Sequence, residues 1–336
     1  MTSAFSKSLL SFIEERAAQP GASGDVLTQC DIAYSRWFLG LDPFEDDRAF
    51  VEFTKLLARH DLSGTVSRGL PRVNVHTTAY ALGALNLASE RYGEGAGHAL
   101  KGMDWQWDLL LDPVTLIPKW PWKFTHHAWR VSHWIGGSAS IVASLWRLAP
   151  EIAEQISLPQ TYAVLEACDA LINPKTGLFK TYKSELLQFA FRNLYRIRHD
   201  PDAGEVGGIV HLHWINYAMG RMPYRSARPL WDKSWKLMQK EPFMESVPYC
   251  LDFDVVQIVR TADPLSARSA QVRKRADRFA TDVHDFLASK LDDQYTLHKL
   301  PGALATMHEC ALISERSSVA GIDIAPRDVM MAAYWI

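Results

Sequence analysis

Two kinds of helical segment alternate along this chain, and that alternation limits the fold more than any other feature. The first kind is rich in small residues and nearly free of charge: HTTAYALGALNLA (76–88), SHWIGGSASIVASLW (132–146), GIVHLHWINYAMG (208–220), YCLDFDVVQIVRTA (249–262) and LPGALATMHECALI (300–313). The second kind carries a charged face: DDRAFVEFTKLLARH (46–60), RSARPLWDKSWKLMQK (225–240) and SARSAQVRKRADRFATDVHDFLASKL (266–291). A helix that is apolar nearly all round belongs inside a protein, and one with a charged stripe faces water. Inner and outer helices in alternation describe a toroid of helical hairpins. No run of strand alternation extends beyond a few residues, so the expected class is all-α in a single domain spanning 1–336.

The helix boundaries follow from local chemistry. Ser6–Ala18 sets Leu9, Leu10, Phe12, Ile13 and Ala17 on one face and stops at Pro20-Gly21. Val26–Leu39, Asp46–Arg59 and His76–Arg91 follow, and further helices are predicted near 95–111, 132–148, 159–172, 183–198, 209–221, 226–239, 249–262, 267–290 and 300–315. Counting Val26–Leu39 as inner, six inner segments begin near 26, 76, 132, 209, 249 and 300. Similar turns leave the charged helices: LLLDPVTLIPKW (109–120), ALINPKTGLFKT (170–181) and, more faintly, KLDDQYTLHKL (290–300). Their logic is a helix stop at Asp-Pro or Asn-Pro, a tight turn, and an extended bridge to the next inner helix.

Composition removes several classes of function. Apolar residues make up 48% of the 336 residues and charged ones 22%, enough for a large core. The net charge of −2 is spread without a basic stripe, which argues against nucleic acid. Cys30, Cys168, Cys250 and Cys310 are widely spaced, so a cysteine metal site or a disulfide framework is not expected, and buried free thiols in a reducing compartment are. No stretch approaches a membrane span, and the first residues lack the pattern of a signal peptide, so the expectation is a soluble cytoplasmic protein, with a homo-oligomer left open. No nucleotide-binding glycine loop, serine elbow or zinc-ligand spacing occurs, and no cofactor or metal is expected.

The turns of the DPxTGLF kind, and inner helices that open with His or Asp, resemble the (α/α)6-barrel superfamily. That group includes glycoside hydrolases, sugar 2-epimerases and toroidal polysaccharide lyases; related toroids serve terpene cyclases. The resemblance covers most of the chain and is architectural. It implies a site in the funnel at the N-termini of the inner helices, where unpaired N–H groups and positive dipole ends gather.

The polar residues expected at that mouth are Asp31, His76, His126, His127, Arg130, His133, His211, His213, Tyr249, Asp252, Asp254 and His298. Half of the twelve Trp residues lie between Trp105 and Trp134, so Trp120, Trp122, Trp129 and, further on, Trp214 are expected to grip a flat ligand face. Asp252 and Asp254 flank Phe253, and residues two apart on a helix diverge, so at most one faces the funnel while the other caps the helix. The same holds for His211 and His213. The expected function is a carbohydrate-active enzyme, in the first instance a glycoside hydrolase with Asp252, Asp254, His133 and His211 as acid/base candidates. A sugar epimerase or lyase using His pairs is the alternative, followed by a terpene-cyclase-like enzyme and a non-catalytic scaffold.

Overall fold

The computed structural model describes residues 3–59, 66–67, 70–71, 75–101, 103, 105, 107–112, 127–153, 158–179, 186, 190, 193–194, 201–222, 224, 226–240, 243–291 and 294–336. These are mostly helical. In chain order the helices are α1 (Ala4–Ala17), α2 (Val26–Phe38), α3 (Asp47–Arg59), α4 (Val75–Tyr92), α5 (Glu94–His98), α6 (Trp107–Leu111), α7 (His127–Leu148), α8 (Pro150–Ala153), α9 (Leu158–Asp169), α10 (Pro201–Ala218), α11 (Ala227–Met238), α12 (Cys250–Thr261), α13 (Pro264–Ala267), α14 (Ala270–Ser289), α15 (Leu300–Ile313) and α16 (Val329–Ala333). Extended structure among the described residues is confined to the ladder Val66–Ser67 against Leu70–Pro71 and one bridge, Ile172 to Phe179.

Burial separates the helices as their charge patterns require. On α4 every residue from Thr77 to Ala88 is buried, and α15 is buried from Leu300 to Ala311. In contrast α3 buries Phe50, Phe53 and Leu57, a single stripe, and α14 buries Val272, Arg275, Ala276, Phe279, Val283 and Leu287. Six helices, each buried over much of its described length, contact one another in turn. α2 packs on α4, α4 on α7, α7 on α10, α10 on α12, α12 on α15, and α15 back on α2. Stripe-bearing helices lie against them, α14 on α15 and α11 on α12.

Glycine permits the closest of these approaches. A Cβ at Gly136 of α7 would lie 2.6 Å from the carbonyl carbon of His211 on α10. One at Gly302 of α15 would lie 2.4 Å from the backbone nitrogen of Cys250 on α12. The small residues that mark the inner helices in the sequence are therefore the ones that let backbones meet.

Local boundaries differ from the sequence-based expectation in three places. The helix predicted from 132 begins at His127, so His127, Trp129 and Arg130 belong to helix backbone rather than to a loop. The helix predicted from 209 begins at Pro201, where a proline costs nothing because the first N–H groups of a helix have no partner within it. The span 95–111 divides into α5 and α6. The predicted helix over 183–198 falls largely outside the described residues. The Asn173-Pro174 turn follows its chemistry closely. Asn173 Oδ1 accepts from the Lys175 N–H at 3.0 Å, Gly177 takes a positive φ of 71°, and the Asn173 N–H returns to Leu178 O at 2.8 Å.

The segment Val329–Ile336 runs between α4 and α10, a placement with no helical signature to foretell it. Tyr34 Oη donates to Trp335 O at 2.6 Å, Asn86 Nδ2 to Ala333 O at 3.2 Å and Ser140 Oγ to Tyr334 O at 3.1 Å. At its start Asp328 accepts from Arg260 Nη2 at 2.7 Å and from Tyr217 Oη at 2.5 Å, while Arg260 also pairs with the buried Glu309. Burial opposes the Arg260 charge, but Glu309 and Asp328 outweigh it and hold the guanidinium above its ordinary range. Among the described residues no helix is long and apolar enough to cross a membrane.

Candidate functional site

A chamber of about 170 Å³ opens where several of the buried helices begin. His76 comes from the first turn of α4, Tyr249 and Cys250 from the start of α12, and His298 and Pro301 from the entry to α15. His211 and Trp214 enter from the middle of α10, Asp254 from the second turn of α12, and Ile336 from the segment after α16. Four chain segments far apart in sequence thus contribute polar side chains to one space.

His298 and Asp31 form its most ordered pair. His298 Nδ1 lies 2.9 Å from Asp31 Oδ1, and the same oxygen accepts from Tyr80 Oη at 2.8 Å. Asp31 is 3% exposed, and burial raises its pKa against the lowering effect of His298 and Tyr80. The hydrogen bond to Asp31 raises the pKa of His298. A carboxylate on Nδ1 fixes the imidazole plane and tautomer, leaving Nε2 to exchange a proton with a ligand. On the other side of this pair lies a wider cleft of about 710 Å³, to which Arg16, Asp25 and Thr28 also contribute.

Asp254 supplies the complementary group. It is 5% exposed, its Oδ1 has no hydrogen-bond partner, and burial, with Asp252 nearby, pushes its pKa well above the usual carboxylate range. Burial thus favours the protonated form of this carboxyl group on the chamber wall, the form that can give a proton. Trp214 is 1% exposed, and its Nε1–H is likewise without a partner. Buried polar atoms are normally satisfied, so two unpartnered groups on one small chamber mark where a ligand or water binds.

The neighbouring members of each i, i+2 pair are spent on structure. Asp252 accepts the N–H groups of Met244 at 2.9 Å and Tyr249 at 3.1 Å, closing the first turn of α12. Burial raises its pKa to about 7, with those two N–H groups acting against the rise. His213 is wholly enclosed, Nδ1 at 2.9 Å from Tyr224 Oη and Nε2 at 2.7 Å from Thr261 Oγ1, and burial lowers its pKa to about 3. Neither lines the chamber.

Of the other candidates, Trp120, Trp122 and His126 lie outside the described residues. His127, Trp129, Arg130 and His133 lie on the first two turns of α7, and only their backbone is described. Tyr80, Cys250, Trp335 and Ile336 have no place among the residues that the sequence singles out. Tyr80 stands one turn beyond His76, which is a usable signal; Trp335 carries none. All four cysteines are free, and Cys250, expected to be buried, is exposed at the mouth of α12. Among the described residues no group of three or more His, Cys, Asp or Glu side chains is disposed to hold a metal ion. No family model matches this chain, and no match to it is found among curated proteins or among solved structures.

Proposed function

We propose that the chain is a carbohydrate-active enzyme built on an (α/α)6 toroid, in which His298 and Asp254 move protons on a monosaccharide-sized substrate. The closed order of contacts from α2 through α15 and back supports the toroid. The observation that carries the functional reading is the Asp31-oriented imidazole of His298 on the same chamber as the unpartnered acid Asp254.

The chamber favours proton transfer over glycosidic hydrolysis. Hydrolysis uses two carboxyl groups, about 5–5.5 Å apart when configuration is retained or about 6.5–9.5 Å when it is inverted. Asp254 is the one carboxyl side chain that lines this chamber among the described residues; Asp31, outside it, is bound to His298 and Tyr80. The size agrees: 170 Å³ holds roughly five or six waters, well below the cavity that a drug-sized ligand or an oligosaccharide fills.

In this reading His298 Nε2 takes the proton from a C–H bond next to the carbonyl of an open-chain sugar. The electron pair moves into a C=C bond, the carbonyl π bond opens, and Asp254 gives its proton to the oxygen, leaving an enediol. In the return step Asp254 takes back the hydroxyl proton, the carbonyl re-forms, and the His298 imidazolium gives its proton to the carbon; when the enediol has turned its other face to Nε2 this inverts the centre, as in an epimerase. Trp214 and Tyr249 also line the chamber, and aromatic side chains are the kind that take the apolar side of a sugar.

Incubation with a panel of monosaccharides in D2O tests this directly. Proton NMR is expected to show loss of a single C–H signal adjacent to the carbonyl in at least one sugar, and His298→Gln and Asp254→Asn should each abolish it with the helical circular dichroism intact. Release of reducing ends from oligosaccharides with no C–H exchange in any sugar would replace this reading with hydrolysis.

A further inference from the structure

We propose that Trp335 is a positioning residue of the chamber: its indole N–H holds His76 in the tautomer that carries its proton on Nε2. Trp335 Nε1 lies 3.0 Å from His76 Nδ1. An indole nitrogen can only donate, so His76 Nδ1 must accept and bears no hydrogen. The neutral ring then has its proton on Nε2. Two N–H groups cannot point at each other across 3.0 Å, so this contact also disfavours the doubly protonated ring.

The indole is placed for this by its surroundings. Trp335 is wholly buried, stacks on His211 at 4.6 Å between ring centres with a 26° tilt, and meets Trp214 edge-on at 5.6 Å. The Tyr34 hydroxyl fixes the Trp335 carbonyl, and that hydroxyl fits only because residue 83 is glycine: a Cβ there would lie 1.9 Å from it. Through Asn86, Ser140 and Tyr34 the segment is tied to α4, α7 and α2. Trp335 itself is not part of the chamber wall, but His76, His211 and Trp214, whose rings it meets, all are. The segment 329–336 therefore sets the hydrogen-bonding character of a wall to which Trp335 does not belong. It makes His76 Nε2 a donor, of the same sense as Trp214 Nε1–H.

The functional meaning rests on the chamber being the ligand site, but the tautomer is testable without any substrate. In protein labelled with 15N, a scalar coupling through the hydrogen bond is expected between Trp335 Nε1 and His76 Nδ1, and the His76 ring should show the pattern of an Nε2–H tautomer. Trp335→Phe should remove the coupling and release His76 to a mixture of tautomers, while the His213 pattern stays as it was. No coupling in the wild type, a proton on His76 Nδ1, or an unchanged tautomer in folded Trp335→Phe would overturn the proposal. Should Trp335→Phe fail to fold, the wild-type coupling and tautomer alone decide. Absence of C–H exchange in any sugar would remove the proposed reaction and leave the tautomer result untouched.

Discussion

His298 Nδ1 and Asp31 Oδ1 meet at 2.9 Å although 267 positions separate them in the chain. That bond raises the His298 pKa above its ordinary value of 6.5, and it sets the pH at which the ring can act as a base. The rate is expected to rise with pH as His298 loses its proton, and to fall at higher pH as the raised Asp254 ionises, giving a bell-shaped profile. Asp31→Asn should shift the acidic limb to lower pH and lower kcat/KM by about 10²–10⁴-fold, the range lost when an imidazole loses its orienting carboxylate. A 15N titration of His298 checks the shift independently of turnover.

Two enclosed imidazoles weaken the fold on acidification. Burial holds His213 at about 3 and His308 at about 4, against an unfolded value near 6.5. Between those values the unfolded chain binds protons that the native one does not, so stability rises with pH in that window. On acidification it is fully present above about 6.5 and is lost progressively as pH falls toward 4 and 3. The loss should amount to several kcal/mol in total, each pH unit between a ring's folded and unfolded values being worth about 1.4 kcal/mol. Asp31, Asp252, Asp254 and Glu309, raised by burial, act in the opposite sense over the same window, so urea melts at pH 7 and pH 5 are compared between the wild type and His213→Gln and His308→Gln; variants that keep the wild-type pH dependence would contradict the buried neutral state.

Gly302→Ala should destabilise the protein by about 1–3 kcal/mol, the usual cost of overpacking. The added methyl group meets backbone, Cys250 N at 2.4 Å, rather than a side chain that can turn aside. It must push α15 from α12 at the point where both enter the chamber, so ligand binding should weaken along with the melting temperature. Thermal unfolding of the variant, with Gly24→Ala as an unobstructed comparison, reads the effect.

How much of this was legible in the sequence follows from what each signal encodes. Freedom from charge marked α4, α10, α12 and α15 as buried because solvation of charged side chains is a local property. The expectation that polar residues near helix starts would gather at one mouth singled out His76, Tyr249, Asp254 and His298, which line one chamber. The sequence could not choose between Asp252 and Asp254, or between His211 and His213. Two residues apart, they point in different directions, and the choice depends on the rotation of the helix against neighbours distant in the chain. Trp335 was illegible for a related reason. Nothing local in AAYWI specifies that it runs between α4 and α10, and its partners Tyr34, His76 and His211 are known only once the helices are assembled.

Arg260→Met should cost about 3–5 kcal/mol, because it strands the buried Glu309 and frees Asp328. Asp328 anchors the start of the segment that carries Trp335, so the loss should reach the chamber. Near-ultraviolet circular dichroism of the tryptophans is expected to change even under conditions where the helical signal is retained. A variant with unaltered stability would show that the segment is held by its packing alone.

The claim on which the rest depends is that the chamber bounded by His76, His211, Trp214, Asp254 and His298 is where the ligand binds. Titration of 15N-labelled protein with monosaccharides, following the indole N–H of Trp214, measures this most directly. The account predicts that at least one sugar shifts the Trp214 resonance together with that of His298, saturably, and that Asp254→Asn abolishes both shifts. A sugar that binds while leaving Trp214 and His298 unmoved, or a panel in which none moves them, would contradict it.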